Sequence, residues 1–443
     1  MGFSVFSGAL FILLFLLLVL AFWGRIKFLF FDPFVLFFAV FIFSCFAVPA
    51  YARFYGYSRY DAYYSDYSYY LVSLYCLIFL LCLSVLYWVF GGRHNVCRVS
   101  EFKFLDFGRF YVVGFVLLVM CLLAFYQFVK LIGVYGLGAF LANRIVLTAG
   151  LGYYKLALFF PVLWVVVYSV EKFFVRKREF AWKRYFLGCV LVVFASAPLL
   201  VLGSRSNLLV GLIFYSFSVL LVCLKLGWIN VYRKLLAKFS LLLFCIVLLG
   251  GALGGLRQSM MSGDNESRTI SYVQSEVPLE SVISAFSSYE NLAWIFENGS
   301  VLDYQLGSTY FSVLLGPVPR SFWPAKPTGA GPIMKNIIAP GTYDLIGGEK
   351  ISSYTTGAPS EAYLNFGWAG ALIGGGVFAA VLVLVKLILS RSASSLGVVV
   401  SVVLLFRTAG FVNAEFYGVF IQFFLVAIFY FICLSCYRKR VCS

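Results

Sequence analysis

The residues best suited to chemistry in this chain are scattered arginines and a few carboxylates, set among long apolar runs. Arg144, Arg205, Arg257 and Arg320 lie between those runs. A guanidinium stays charged and its planar fork matches phosphate oxygens, so each is a candidate for holding a diphosphate. The competing role is an interface anchor that snorkels to lipid headgroups. Arg205 sits in the short connection Gly203-Ser204-Arg205-Ser206-Asn207. Arg320 sits in the stretch 316–327, where Pro317, Pro319, Pro324 and Pro327 exclude regular helix and enforce a stiff loop. Arg407 falls inside an apolar run, where a charge is costly and marks a functional position by default. Glu415 follows slightly over two helical turns later, so both can face one cavity, as a structural ion pair or as substrate contacts.

A general base has to be held rigidly near its substrate. Glu361, ahead of Tyr363, Asn365, Phe366 and Gly367, fits best, and Glu290 is second. The alternative for Glu361 is a helix-capping carboxylate, favoured by the dipole at a helix N-terminus. Trp323 and Tyr310 offer ring faces for sugars, and Lys326 and Asn365 offer polar edges. Nine tyrosines between 51 and 70 make either a sugar-stacking surface or an ordinary interfacial belt. There is no P-loop, no GxSxG, no HExxH and no Asp-x-Asp. The expectation is therefore a site without a metal or other cofactor. The CxxC formed by Cys433 and Cys436 has no second pair, and the eleven cysteines avoid the expected outer loops, so no disulfide framework is expected.

The elements that must position these residues are membrane helices. The 443 residues are 63% hydrophobic and 12% charged, more apolar surface than a soluble fold can hide. Continuous apolar runs without period-two alternation predict an all-α polytopic membrane protein with about eleven spans: 3–22, 33–50, 69–90, 110–132, 153–170, 185–202, 207–224, 239–256, 367–389, 395–412 and 416–436. The chain then divides into an eight-helix bundle (1–256), a loop domain (257–366) and three C-terminal helices (367–443). The loops on one side hold 21 of the 34 Lys and Arg, whereas loop 257–366 has six basic and ten acidic residues. By the positive-inside rule the C-terminus is cytoplasmic, the N-terminus outside and the long loop extracytoplasmic. The net charge of +16 thus orients the chain on anionic lipid and does not mark a nucleic-acid surface. Within the loop, 280–297 reads as an amphipathic helix lying along the membrane surface, and 308–315 as one more short helix.

Three pieces in this order carry a family resemblance: Gly203-Ser-Arg-Ser206, Pro319-Arg-Ser-Phe-Trp-Pro-Ala-Lys-Pro327 and Glu361-Ala-Tyr-Leu-Asn-Phe-Gly367 ahead of a glycine-rich span. With the layout, they resemble the bacterial oligosaccharide repeat-unit polymerases, the Wzy-type O-antigen polymerases. The resemblance implies a GT-C-like, metal-independent glycosyltransferase in the bacterial inner membrane, its active site facing the periplasm. The donor would be a glycan on undecaprenyl diphosphate, and the acceptor another lipid-linked repeat unit. Arg205 and Arg320 match the family's outer-face arginines and Glu361 its loop carboxylate. Arg144, Arg257, Arg407 and Glu415 are added from position alone. The family also implies a separate chain-length regulator as partner. O-antigen ligases share the layout and donor but use a histidine in the long outer loop, and the one histidine here, His94, lies elsewhere. A lipid-linked oligosaccharide flippase or transporter would favour a charged central cavity and internal repeats, and no repeat is evident. A non-catalytic scaffold is the remaining alternative.

Overall fold

A computed structural model describes residues 2–22, 30–56, 64–91, 102–136, 140, 152–202, 205–238, 286, 288–298, 303–315, 318, 322–323, 326–340, 354 and 356–437. The described chain is helical throughout, and no named strand occurs among those residues. Eight of its helices are long and apolar enough to cross a membrane, the architecture of a helical multi-pass membrane protein. Val210–Lys225 and Ser395–Gly410 are shorter apolar helices, and the expected span 239–256 lies outside the described residues.

The chain divides into two compact units. The first comprises Met1–Asn95, Glu276–Ser390 and Leu404–Leu425. It opens with α1 (Gly2–Phe22) and α2 (Pro33–Ile42), continues through a π-helical turn (Phe43–Ala47) into α3 (Val48–Phe54), and then α4 (Asp66–Gly91). Local chemistry sets these ends. Asp32 caps α2, its carboxylate accepting from the Phe34 N–H at 3.0 Å, and Pro33 takes the first helical position, where a missing N–H costs nothing. The same carboxylate accepts from the Tyr87 hydroxyl (2.6 Å) and pairs with the Lys386 ammonium (3.2 Å), tying α2 to the ends of two other helices.

The long-loop part of this unit contributes four short helices: α9 (Tyr289–Glu297), α10 (Ser308–Leu315), α11 (Ala330–Ile338) and α12 (Ala358–Phe366). A 3-10 turn at Gly367–Ala369 leads into α13 (Gly370–Arg391). Gly367 ends α12 at a φ of 57°, in the left-handed region, and a Cβ there would strike the Tyr304 ring. Gly370 brings α13 so close to α12 that a Cβ would sit 2.0 Å from the Ala362 carbonyl. The aromatic core joins Phe41 and Phe79, stacked at 5.7 Å, and places Phe378 edge-on to Phe411 and Phe416.

Helix α9 corrects an expectation. The sequence reads as a surface helix, but six of its nine residues, including Glu290 and Asn291, are buried, and it packs on α4 and α12. Of its polar residues Glu290 and Asn291 are enclosed by protein and Glu297 is exposed, while 280–285 and 287 of the expected helix lie outside the described residues.

The second unit comprises Val96–Ser275, Arg391–Val403 and Val426–Ser443. It contains α5 (Phe107–Tyr135), α6 (Gly152–Val170), α7 (Trp182–Ser196) and α8 (Arg205–Lys225). Asp106 caps α5 through the Gly108 N–H at 3.1 Å. The Trp164 indole stacks on Phe110, donates to its carbonyl at 3.0 Å and occupies the space left by Gly114. Two further helices, α14 (Ser395–Gly410) and α15 (Phe416–Leu434), complete the chain.

Candidate functional site

The candidate site forms around Glu361, in the first turn of α12. Its side chain is fully buried, and both oxygens are engaged. Oε1 accepts from the Thr309 hydroxyl on α10 at 2.7 Å. Oε2 accepts from the Phe416 N–H, the first residue of α15, at 2.6 Å. The first N–H groups of a helix have no partner within it, and a carboxylate there gains from the helix dipole. Glu361 therefore does cap a helix N-terminus, but that of α15 and not that of the helix it precedes.

Asn365, one turn after Glu361, completes the node. Its Nδ2 donates to Thr309 Oγ1 at 2.7 Å and to the Glu361 carbonyl at 2.8 Å, and its Oδ1 accepts from the Gly307 N–H at 2.9 Å. One hydroxyl, Thr309, thus donates to a carboxylate while accepting from an amide, so three buried polar groups satisfy one another. Tyr310 packs beside the node, its ring edge-on to Phe416 at 5.1 Å. Burial and the nearby Glu361 carboxylate both raise the Tyr310 phenol above its ordinary range.

Two more carboxylates act in the same way. Glu415, immediately before α15, accepts from the Gly331 N–H at the start of α11 at 2.7 Å. Burial raises its pKa, and the Gly331 N–H opposes the rise. Gly329 is needed alongside, because a Cβ there would lie 2.4 Å from Glu415 Oε2. Glu297, at the end of α9, accepts through Oε2 from the Ser65 N–H (3.0 Å), the Ser65 hydroxyl (2.7 Å) and the Ser68 hydroxyl (2.5 Å), closing the start of α4. These bonds, Ser68 first and then Ser65, hold Glu297 below the usual carboxylate range. Three carboxylates near the short helices each clamp the N-terminus of a different helix.

The expected site residues fall into groups. Glu361, Asn365 and Tyr310 converge, and Glu415 adjoins them through Phe416. Glu290 is buried in α9, where the Tyr289 hydroxyl donates to it at 3.3 Å. Lys326 turns its ammonium onto the Val318 and Leu315 carbonyls, at 2.7 and 3.4 Å, so it closes the C-terminal end of α10. Trp323 is exposed. Arg407 lies in the last turn of α14. Arg205 is the first residue of α8, with its side chain outside the described residues. Arg144, Arg257 and Arg320 lie outside the described residues altogether.

The sequence gives no reason to single out Thr309, Ser65 or Ser68, and marks Glu297 only as part of the polar face of its helix. An isolated Thr in a short helix, or Ser at the start of a long one, carries no pattern that marks a bridge to a distant carboxylate. In comparisons with known proteins, no family model matches the chain, and neither a curated protein nor a solved structure matches it.

Proposed function

We propose that this protein is a membrane glycosyltransferase that extends lipid-diphosphate-linked oligosaccharides, an O-antigen-type polymerase acting on the extracytoplasmic side. The observation that carries this reading is the buried Glu361–Thr309–Asn365 node. Two of its members, Glu361 and Asn365, lie within the third motif of the resemblance, and the node joins the short helices of the long loop to the start of an apolar helix.

In this reading the acceptor hydroxyl attacks the anomeric carbon of the donor glycan, and the prenyl diphosphate departs. Diphosphate is a good leaving group that needs charge stabilisation more than a proton, which suits arginine. Arg205 and Arg320 are assigned that part. Glu361 is assigned as a positioning residue, because both oxygens already hold α10 and α15. A carboxylate has about four lone-pair sites, so receipt of the acceptor proton remains compatible with these bonds.

The test is purified full-length protein in lipid vesicles, supplied only with lipid-linked repeat units. A ladder of longer lipid-linked glycans supports the proposal. Movement across the bilayer without elongation would establish a flippase, and, in a second arm with lipid A core added, transfer to that core without elongation would establish a ligase. Glu361→Gln separates the two roles of the carboxylate. Loss of activity together with thermal stability, at an unchanged pH profile, marks positioning. Loss of activity at unchanged stability marks the base.

A further inference from the structure

Helix α10 is built inside out for a helix in water. Its polar residues face the protein: Thr309 is buried on Glu361, and Ser312 is buried with its hydroxyl donating to the Thr309 carbonyl at 2.6 Å. Two of its large apolar residues face away, Phe311 56% and Leu314 68% exposed, three positions apart on one face, while Val313 is buried. Just before the helix, Leu306 is 79% exposed and holds a φ of 46°, an uncommon conformation for a side chain of its kind. It is fixed there by protein: the Gln305 and Leu306 N–H groups donate to the Leu364 and Asn365 carbonyls at 3.0 Å each. With Phe311 and Leu314, Leu306 makes three exposed large apolar side chains on one short segment, a patch that calls for an apolar partner.

The neighbourhood identifies that partner. The 304–307 turn lies against the end of α12, with Gly307 facing the Phe366 ring and Gly367 facing the Tyr304 ring. Directly beyond, Trp368 in the 3-10 turn and Leu372 and Ile373 in α13 are exposed, within a stretch long and apolar enough to cross a membrane. The turn that leads into α10 thus lies beside the turn that leads into a membrane helix, and both elements carry exposed apolar side chains. At the other end, Lys326 caps α10 and brings the exposed Trp323 along through its N–H bond to the Trp323 carbonyl at 3.2 Å. An exposed tryptophan beside an apolar face is a residue found at headgroup depth.

We propose that α10 with its preceding turn docks on the lipid bilayer, inserting Leu306, Phe311 and Leu314 into the acyl-chain boundary of the leaflet on its own side. The buried face of the same helix holds the Glu361 node, so lipid contact and the node share one element. The inference does not depend on the glycosyl-transfer reading.

The test is site-directed spin labelling of the full-length protein in phosphatidylethanolamine–phosphatidylglycerol vesicles. Nitroxides are placed by Phe311→Cys and Leu314→Cys, with the exposed Asp303→Cys as reference, after label-reactive native cysteines are changed to serine. Labels at 311 and 314 are expected to collide with oxygen in preference to aqueous nickel chelate, with the reverse at 303. Chelate access at 311 and 314 matching that at 303 would overturn the proposal. Protection from both reagents would also overturn it, by showing that a protein surface covers the face.

Discussion

At the scale of single residues, the buried node depends on Thr309 more than on any residue the sequence makes conspicuous. Its hydroxyl is the link between Glu361 and Asn365, and Thr309→Val removes that link at nearly constant volume. Leaving a buried donor or acceptor without its partner costs about 1–3 kcal/mol. Thr309→Val should lower the thermal midpoint of the detergent-purified protein, whereas Thr309→Ser should keep most of it. An unchanged midpoint in Thr309→Val would show that the node contributes nothing to stability. Glu361 itself was legible as a residue of interest because an acid stands beside an apolar run. Which helix it caps was not legible, since Phe416 is 55 residues away and the bond is made by a backbone N–H, which every residue other than proline carries.

At the scale of elements, carboxylates fasten the short helices to the apolar ones. The Glu297 clamp on α4 gives a pH dependence whose sign follows from its lowered pKa. Its contribution is fully present above the ordinary carboxylate value of about 4.3 and is lost as pH falls through the lowered folded-state value. Glu297→Gln should therefore melt below the wild type at neutral pH, with the two converging on strong acidification. Parallel curves across that range would exclude the clamp as the cause. The effect is moderated by solvent screening, because Glu297 is largely exposed. The Asp32–Lys386 pair is more enclosed, with side chains 14% and 8% exposed. Removing one partner of a buried pair costs about 3–5 kcal/mol, because the other is left uncompensated. Lys386→Met alone should destabilise strongly. Adding Asp32→Asn should restore part of the loss, since Asn keeps the cap on α2 and carries no charge. A double variant as unstable as the single one would show that the pair is not coupled.

At the scale of the whole molecule, composition alone points to a lipid solvent, and the basic loops carry the expectation of a cytoplasmic C-terminus. The orientation predicts that an impermeant maleimide applied to intact cells labels Asp264→Cys in the long loop but labels Arg440→Cys near the C-terminus only after permeabilisation. The reverse pattern would invert the topology and remove the proposed extracytoplasmic site. Ten of the eleven expected spans coincide with helices among the described residues, because a run of about 20 apolar residues has one way to satisfy its backbone in hydrocarbon. The short helix at 308–315 was equally visible, whereas α11 and α12 were not read as helices from the sequence. The sequence by itself determined helix positions, since hydropathy acts on each segment separately. It did not determine which faces of the short helices turn inward. Sequence favoured a membrane-surface position for α9, which tertiary packing buries, while the polar side of α10 is drawn in by Glu361 and Asn365 and its apolar side is left outward. Only the tertiary structure could decide this, because a buried carboxylate chooses its partners by distance in space, and Thr309, Glu361 and Phe416 become neighbours only when three helices pack together.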